Sequence, residues 1–241
     1  MTDTKKTALV TGANKGIGYE IVAGLARLGF RVGVGARDAS RREDAVAKLL
    51  ADGHDVFGVA LDVTSEASVS AAAVQLRDEG GLDVLVNNAG ITGGMPQEPS
   101  RVTAAQVLEV VDVNVLGVIR VTNAMLPMLR EAPSPRIVNV SSTVGSLGLQ
   151  TAQAEPVGPI SGAYSPTKTY LNALTVQYAK ELAGAGILVN AGCPGFVATD
   201  LNGHRGTRTP EQGAAVFLEL ATLPDDGPSG TFRDETGVQP W

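Results

Sequence analysis

Short runs of β-branched and aliphatic residues alternate with longer segments of helical period along the whole chain. The predicted strands are Thr7–Thr11, Arg31–Ala36, Asp55–Leu61, Val84–Asn87, Arg136–Ser141, Leu188–Cys193 and Thr231–Asp234. The predicted helices are Ile17–Leu28, Arg41–Asp52, Glu66–Glu79, Ala104–Glu131, Gly162–Ala185 and Pro210–Thr222. Such alternation is typical of an α/β fold in which helices cover both faces of a doubly wound parallel sheet. With no linker or repeat to divide it, residues 1–241 are expected to form a single domain.

Two residues do not suit the interior of the fourth predicted helix. Pro127 lacks the backbone N–H that such a position donates, so we expect it to kink the helix or to end its regular part. Asn114 is unfavourable in a helix because its amide competes for backbone hydrogen bonds. An asparagine at this position therefore needs a specific reason.

Charge and hydropathy exclude several classes of partner. The formal net charge is −6 at pH 7, and no basic run is longer than two residues, which argues against a nucleic-acid or anionic-membrane partner. The longest apolar runs are about half of what a membrane-spanning helix needs. The amino terminus is polar and carries no apolar export segment, which predicts a cytoplasmic location.

Cysteine and histidine are scarce. Cys193 is the single cysteine, so the chain forms no internal disulfide, which fits a reducing compartment. The two histidines, His54 and His204, lie far apart in the sequence and have no ligand-like neighbours. We therefore expect no metal site.

A glycine-rich loop follows the first predicted strand and leads directly into an amphipathic helix. Its glycines are Gly12, Gly16 and Gly18, spaced G-x-x-x-G-x-G. Glycines at such a turn allow a tight bend, close backbone approach to a pyrophosphate and close helix–strand packing. The helix amino terminus adds free N–H groups and a partial positive charge. Strand, loop and helix together predict dinucleotide binding of the Rossmann type rather than a merely structural turn.

The residue after the second predicted strand indicates which dinucleotide binds. A chain that binds NAD would place an acidic residue there, whereas this strand ends at Ala36 and is followed by Arg37. The planar guanidinium of Arg37 suits a 2′-phosphate, and Lys15 in the glycine loop adds a second cation. Arg41 and Arg42 are further candidates, although we expect their helix to point them outward. These cations favour NADP(H) as the cofactor. The alternative is that Arg37 is only a solvated surface residue and binds no phosphate.

A tyrosine and a lysine lie four residues apart on the fifth predicted helix. At that spacing Tyr164 and Lys168 share one helical face. A phenol with a pKa of about 10 exchanges protons poorly at neutral pH, and a neighbouring ammonium is expected to lower that pKa. Ser142, at the end of the fifth predicted strand, has a hydroxyl suited to holding a carbonyl oxygen. The tyrosine–lysine pair alone is more often a half-exposed helix face, but its place after the glycine loop and Ser142 favours catalysis.

These motifs resemble those of the short-chain dehydrogenase/reductase family. The loop Thr11–Gly18 reads T-G-A-N-K-G-I-G and matches the family pattern T-G-x-x-x-G-I-G. The tetrapeptide Asn87-Asn88-Ala89-Gly90 after the fourth predicted strand is a family signature, and the segment Tyr164–Lys168 follows in the family order. The resemblance covers nearly the whole chain.

The resemblance implies roles for individual residues. Tyr164 would donate the proton, Lys168 would bind the nicotinamide ribose, and Ser142, the second serine of its pair, would bind the substrate oxygen. Asn114 would bind, through a local helix distortion, a water that links Lys168 to a proton relay. The implied catalytic residues are therefore Asn114, Ser142, Tyr164 and Lys168. The residues implied to bind the cofactor are Gly12, Asn14, Lys15, Gly16, Ile17, Gly18, Arg37, Leu61, Asp62, Val63, Asn87, Asn88, Ala89, Gly90, Tyr164, Lys168, Pro194, Gly195, Val197 and Thr199.

Two of these stretches have specific parts in the family. Asp62 would contact the adenine amino group; the alternative is that it is an N-cap aspartate that opens the next helix. The segment Pro194–Thr199 would grip the nicotinamide amide. The backbone of Val197 and the hydroxyl of Thr199 would then select the ring face that is presented.

Asn14, Lys15 and the tail Thr207–Trp241 resemble the carbonyl-reductase branch of the family. That branch implies NADPH-dependent reduction of an aldehyde or a ketone to an alcohol. The alternatives are NADP-dependent oxidation of a secondary alcohol and a module that senses NADP(H) without turnover. The substrate would be a small molecule with an apolar body, in a pocket bounded by Thr92–Glu98, Thr143–Ala163 and Leu201–Arg208.

The segment Gly145–Gly162 is longer than in most members of the family. In the carbonyl reductases with the longest insertion here, the insertion covers a helix face that is otherwise used for assembly, and those proteins are monomers. This insertion is shorter, so both a monomer and a small homo-oligomer stay open.

Overall fold

The computed structural model describes residues 5–241. Within that range the strands are β1 (Thr7–Thr11), β2 (Arg31–Ala36), β3 (Val56–Ala60), β4 (Val84–Asn87), β5 (Arg136–Val140), β6 (Leu188–Gly192), β7 (Phe232–Asp234) and β8 (Gly237–Val238). They form one sheet in the order β3-β2-β1-β4-β5-β6-β7-β8. Strands β1 to β7 are parallel, and β8 pairs antiparallel with β7. The strand order reverses between β1 and β4, where a crevice forms along the carboxyl ends of the strands.

Helices cover both faces of this sheet. They are α1 (Gly16–Arg27), α2 (Ala39–Ala51), α3 (Glu66–Asp78), α4 (Ala104–Val111), α5 (Gly117–Glu131), α6 (Leu147–Ala152), α7 (Tyr164–Leu182) and α8 (Pro210–Ala221). One apolar core, which includes Ile21, Leu49 and Phe217, packs α1, α2 and α8 on one face. A second core, which includes Leu76 and Met125, packs α3, α5 and α7 on the other. The predicted doubly wound α/β fold is therefore confirmed.

The fourth predicted helix, Ala104–Glu131, is not continuous. It consists of α4, a π-helical turn over Asp112–Leu116 and α5. Pro127 lies inside α5, which continues to Glu131, so of its two expected effects, a kink or an end to the regular helix, the second is wrong. Met125 and Leu129, on either side of the proline, are fully buried. Their packing against the sheet holds the helix together past the missing hydrogen bond.

Side-chain hydrogen bonds lie at the starts of two helices that differ from the prediction. Helix α2 begins before the predicted Arg41, because Asp38 caps it by accepting a hydrogen bond from the Arg41 N–H at 3.0 Å. Helix α7 begins at Tyr164 rather than at Gly162; its N-cap Ala163 supplies no side-chain cap, and the Oγ of Ser161, two residues earlier, accepts the Tyr164 N–H at 2.8 Å. Each helix start thus differs by two residues from the one that the periodicity predicts.

Helix α6 and strand β8 are not predicted from the sequence, because both are short and depend on distant contacts. Ser146 caps α6 by accepting the Leu149 N–H at 3.0 Å, and its hydroxyl donates to the carbonyl of Pro240 at 2.6 Å. The N–H of Gly148 donates to the carbonyl of Trp241 at 2.7 Å. The carboxyl-terminal residues therefore hold α6 against the body of the protein.

Candidate active site

The glycine loop between β1 and α1 lies against the segment that follows β4. Gly12 has a φ of 64°, and a Cβ placed on it would lie 2.9 Å from the Cα of Ala89. A Cβ on Gly18 would overlap the side-chain amide of Asn88. Glycine is therefore required at both positions by the close approach of two backbone segments.

The amino terminus of α1 presents backbone N–H groups beside this loop. Lys15 is the N-cap residue, and in the described part of the chain its side chain makes no capping hydrogen bond. Gly16 faces the segment after β6, since a Cβ on it would lie 3.5 Å from the Cγ2 of Thr199. Helix N–H groups and the helix dipole attract phosphate. The loop and Thr199 therefore form a cradle that fits the pyrophosphate of a dinucleotide.

The segment Asn87–Gly90 joins the glycine loop to the catalytic side of the crevice. Asn87 points into the core, where its amide donates to Thr122 at 3.1 Å and to Asn139 at 2.9 Å. The amide of Asn88 donates to the carbonyl of Thr11 at 2.8 Å. The side chains of Asn87 and Asn88 thus bind other parts of the protein. The groups of this segment that could contact a cofactor are its backbone and the small residues Ala89 and Gly90.

Several cations surround the crevice at the end of β2. Arg37 is exposed immediately after β2. Lys15 donates to Asp200 at 2.5 Å, and with Arg41 and Lys48 it lines a cavity of about 660 Å³. Arg41 therefore lies beside the predicted cofactor site, although its side chain is mostly exposed, as expected, and lies 3.7 Å from Asp38.

Arg42 departs from the prediction that it points outward. Its Nη1 folds back and donates to the carbonyl of Ala36 at 3.0 Å. This hydrogen bond stabilises the carboxyl end of β2. Arg42 thus supports the strand end rather than projecting into solvent.

Asp62 follows β3 at the same edge of the sheet. Hydrogen bonds from the N–H and the hydroxyl of Thr64 hold the pKa of the Asp62 carboxyl below its usual value, and the charges of Arg37 and Arg120 act in the same direction. The N-cap of α3 is Ser65, not Asp62. The alternative that Asp62 is the helix cap is therefore excluded, and the carboxylate lies within the electrostatic range of Arg37.

Tyr164 and Lys168 lie on the first turn of α7 and face the end of β5. Lys168 is 4% exposed, and its Nζ donates to the carbonyl of Val140 at 2.7 Å. The same Nζ lies 5.5 Å from the centroid of the Tyr164 ring. A Cβ on Gly90 would lie 3.8 Å from it as well. The pair therefore borders the small residues that follow β4.

Burial dominates the protonation of this pair. It lowers the pKa of Lys168 to about 8, against a smaller opposite effect of Cys193. It raises the pKa of the Tyr164 phenol above its usual value, and Cys193 adds to that rise. The expectation that Lys168 lowers the phenol pKa is wrong for this arrangement. Desolvation of the phenolate outweighs the attraction of an ammonium that is itself directed at Val140.

Asn114 lies in the π-helical turn and is fully buried. Its Oδ1 accepts the Ile91 N–H and its Nδ2 donates to the Ile91 carbonyl, both at 2.9 Å. Its Nδ2 also donates to Thr167 Oγ1 at 3.1 Å. The predicted local distortion around Asn114 is present, and the side chain connects the segment after β4 to α7.

The two serines after β5 differ in their environment. Ser141 is buried, and its hydroxyl donates to Asn172 at 2.5 Å. Ser142 is partly exposed, and its Oγ accepts a long hydrogen bond of 3.4 Å from the Val144 N–H. Ser142 is thus the more accessible of the two serines.

The segment Pro194–Thr199 turns sharply after β6. Gly195 has a φ of 76°, and a Cβ on it would lie 2.8 Å from Cδ of Arg208. The carbonyl of Val197 accepts a hydrogen bond from Asn202 at 2.8 Å. The segment therefore lies beside the glycine loop at Thr199 and is held by contacts with Asn202 and Arg208.

The insertion Gly145–Gly162 forms α6 and an irregular return to α7. Together with the outward face of α7 it borders an open, mainly apolar cavity of about 580 Å³. Leu147, Ile160 and Tyr170 on its rim are more than half exposed. The insertion therefore covers only part of this helix face.

Within residues 5–241, no group of three or more His, Cys, Asp or Glu side chains is placed to hold a metal ion. No helix in the same range is long and apolar enough to cross a membrane. Cys193 is buried beside Tyr164 and Lys168.

A Rossmann-type sheet with a phosphate cradle and a tyrosine–lysine pair at its carboxyl edge defines a dinucleotide-dependent oxidoreductase. The sequence model described as short chain dehydrogenase matches residues 6–209. Carbonyl reductase (NADPH) 1 of Mus musculus is 34% identical over an alignment of 282 residues that covers 100% of both chains. This chain belongs to the short chain dehydrogenase family, in its carbonyl-reductase-like branch.

Other relatives and solved structures to which this chain is similar are also reductases. The (−)-isopiperitenone reductase of Mentha piperita is 34% identical over 96% of this chain and 97% of its own. The structure of salutaridine reductase from Papaver somniferum has a TM-score of 0.83 at 32% identity, covering 95% of this chain and 99% of that one. A variant of actinorhodin polyketide ketoreductase, crystallised with NADPH, has a TM-score of 0.86 at 29% identity, covering 98% and 97%.

Proposed function

We propose that this chain reduces an aldehyde or a ketone to an alcohol with NADPH, using Tyr164 as the general acid. The observation that carries the proposal is the pair at the start of α7, in which the Nζ of the buried Lys168 lies 5.5 Å from the centroid of the partly exposed Tyr164 ring. Burial raises the pKa of Tyr164, so the phenol is protonated at neutral pH, as a proton donor must be.

Each catalytic side chain has a separate part in this proposal. The bound NADPH supplies the hydride. The hydroxyls of Ser142 and Tyr164 hold the carbonyl oxygen and stabilise the charge that develops on it. Tyr164 then gives its proton to that oxygen. Lys168, held by the Val140 carbonyl, keeps a positive charge beside the phenol, and Asn114 holds the segment after β4 against α7 beneath them.

The cofactor is NADP(H). Two features of this chain support that choice over NAD: the exposed Arg37 follows β2 where an acidic residue would bind ribose hydroxyls, and Arg41 lines the neighbouring cavity with Lys15. A guanidinium pairs with a 2′-phosphate through charge-assisted hydrogen bonds. We assign Arg37 the main role, with Arg41 and Lys15 in support, because Lys15 is already paired with Asp200.

Two other functions use the same site. Oxidation of a secondary alcohol would need Tyr164 as a base, and its raised pKa disfavours the phenolate at neutral pH. A module that only senses NADP(H) would not require Ser142, Tyr164 and Lys168 together. Reduction is therefore the function that we favour.

The experiment follows oxidation of NADPH, and separately of NADH, against a panel of ketones, aldehydes and quinones. We compare wild type with Tyr164→Phe and with a matched control, Tyr170→Phe, whose ring is exposed on the same helix. Turnover with NADPH that is lost in Tyr164→Phe and kept in Tyr170→Phe supports the proposal. Tight NADPH binding without turnover of any substrate favours the sensing module instead, and faster turnover with NADH contradicts the role of Arg37.

We also propose a small-molecule substrate and a cytoplasmic location. The acidic net charge of −6 gives no reason to expect nucleic acid as a partner. The partly covered outward face of α7 leaves a monomer and a small homo-oligomer as the two candidate states. Sedimentation velocity at several protein concentrations distinguishes them.

A further inference from the structure

Gln97 lies in the loop between β4 and α4 and is 9% exposed. Its side chain makes hydrogen bonds at both ends. The Nε2 donates to the carbonyl of Thr92 at 2.8 Å and to that of Gly94, and the Oε1 accepts the hydroxyl of Ser161 at 2.5 Å. We infer that Gln97 is a positioning residue for Tyr164, an inference that rests on the proposed function.

Ser161 connects Gln97 to the catalytic tyrosine. A hydroxyl has one proton, and the proton of Ser161 is directed at Gln97. The lone pairs of Ser161 therefore face the start of α7, where they accept the N–H of Tyr164 at 2.8 Å and that of Ser165 at 3.5 Å. The side-chain Oε1 of Gln97 thus fixes the orientation of the Ser161 hydroxyl, which accepts the first N–H groups of α7.

The orientation of the Gln97 amide is itself fixed. Two backbone carbonyls, of Thr92 and Gly94, lie on its nitrogen side, and a hydroxyl donor lies on its oxygen side. A rotation of the amide by 180° would place the nitrogen against a donor and the oxygen against two acceptors. The carbonyls of the loop therefore hold the Gln97 amide in one orientation, in which its Oε1 is the acceptor for the Ser161 hydroxyl.

The backbone reinforces this connection. The N–H of Gly162 donates to the carbonyl of Gln97 at 2.7 Å. A Cβ on Gly162 would lie 2.9 Å from the Cα of Pro99, so glycine allows the two segments to touch. The segment that ends in Tyr164 is thereby attached to the loop after β4 on one side, while Lys168 is attached to β5 on the other.

Gln97→Leu removes both ends of the connection at nearly constant volume. We expect kcat to fall by about tenfold to a hundredfold, because small misplacements of a catalytic group have effects of that order. The affinity for NADPH, measured by its fluorescence, is expected to stay the same because no residue of the glycine loop contacts Gln97 in the described hydrogen-bond network. The matched control is Gln75→Leu, a partly buried glutamine that donates to the carbonyl of Gly58 at 2.9 Å, far from the site.

A double-mutant cycle separates positioning from general loss of stability. Ser161→Ala removes the same connection from its other end, so the kcat of Gln97→Leu combined with Ser161→Ala is expected to equal that of the lower single variant. Multiplied effects on kcat would overturn the inference, since they would mean that the two residues act separately. Ser161→Ala also tests the connection if Gln97→Leu does not fold.

Amide hydrogen exchange of Tyr164, followed by NMR, gives a measurement that needs no turnover. We expect faster exchange at Tyr164 in Gln97→Leu than in Gln75→Leu, because the acceptor of that N–H loses its orientation. Equal exchange rates would overturn the inference whatever the activity. Absence of turnover in wild type would instead contradict the proposed function and leave the exchange result to decide the role of Gln97.

Discussion

Asn114 and Thr167 are joined by a hydrogen bond of 3.1 Å from the side-chain amide to the hydroxyl. Thr167 in turn donates to the backbone carbonyl of Tyr164 at 2.7 Å. The π-helical turn that contains Asn114 is thus connected, through one threonine, to the residue that we propose as proton donor. This connection gives the asparagine a structural part that can be measured separately from any part in proton transfer.

Asn114→Ala is expected to lower both stability and activity. The substitution leaves the partly buried N–H and carbonyl of Ile91 without their partner, and an unpaired buried group costs about 1–3 kcal/mol, less where water reaches it. We expect a loss of roughly 2–4 kcal/mol in the free energy of unfolding, measured by urea denaturation. The control, Asn123→Ala, removes an exposed partner of Tyr178 and should leave kcat unchanged. A fully stable Asn114→Ala would contradict the hydrogen-bond network described above.

The pH dependence of reduction is expected to follow Lys168. Its pKa is lowered by burial to about 8, so the ammonium loses its proton above that pH while Tyr164, with a raised pKa, stays protonated. The kcat/KM of carbonyl reduction should therefore fall as the pH rises through about 8, since kcat/KM reports the free enzyme.

Two variants check this assignment. In Lys168→Arg, the side chain stays charged, so the residual activity should no longer fall in that range. Lys180→Arg, exposed on the same helix, should keep the wild-type profile. A decline near pH 8 that persists in Lys168→Arg would assign the titration to another group.

Arg37→Asp is expected to weaken NADPH binding more than NADH binding. Loss of charge-assisted hydrogen bonds to the 2′-phosphate corresponds to a roughly 10- to 100-fold higher Kd for NADPH. The aspartate can instead accept the ribose hydroxyls of NADH, so the Kd for NADH should stay the same or fall. Fluorescence titration with both cofactors measures the change. Arg130→Ala, exposed on the far side of α5, is the control, and equal effects of Arg37→Asp on the two cofactors would exclude the assignment.

Gly12→Ala and Gly29→Ala separate backbone strain from crowding. Gly12 and Gly29 both have positive φ, 64° and 92° respectively, so both alanines carry the same kind of strain, of about 1 kcal/mol or more. A Cβ on Gly12 also lies 2.9 Å from Ala89, whereas a Cβ on Gly29 has nothing within 4 Å. We expect Gly12→Ala to lose cofactor affinity as well as stability, and Gly29→Ala to lose stability alone. Calorimetry and cofactor titration on the two variants test this difference, and unchanged affinity in Gly12→Ala would argue against the cradle.

Much of the fold follows from the sequence because its signals are local. The ends of β1, β2 and β4 agree with the predicted strands to the residue. Strands β1 and β4 are short buried runs bounded by polar residues or glycine, and β2 begins after a glycine–phenylalanine pair and ends before Arg37. The π-helical turn Asp112–Leu116 has no such signal, because the apolar period continues through it. Asn114 marks the place as unusual, and the resemblance to the family implied a distortion there, but propensity alone does not give its form.

The sequence predicts those residues of the candidate site whose own side chains have a recognisable chemical role. The choice between Ser141 and Ser142 followed from the family, and the structure gives a physical basis for it in the bond from Ser141 to Asn172. Gln97 was missed, because a glutamine in a loop rich in glycine and proline gives no signal until its partner Ser161 is seen beside it. The pKa of Tyr164 was predicted in the wrong direction, since helical spacing describes the distance to a charge but not the burial of the phenol.

The insertion between β5 and α7 is held at both ends and also at α6, where the Gly148 N–H donates to the carbonyl of Trp241. At its start, a Cβ on Gly145 would lie 2.6 Å from the backbone of Lys168, and at its end the Ser161 hydroxyl accepts the Tyr164 N–H. The stretch from Gln153 to Ile160 makes none of these contacts. A loop of different length or composition can therefore be grafted there without altering the contacts that position Tyr164.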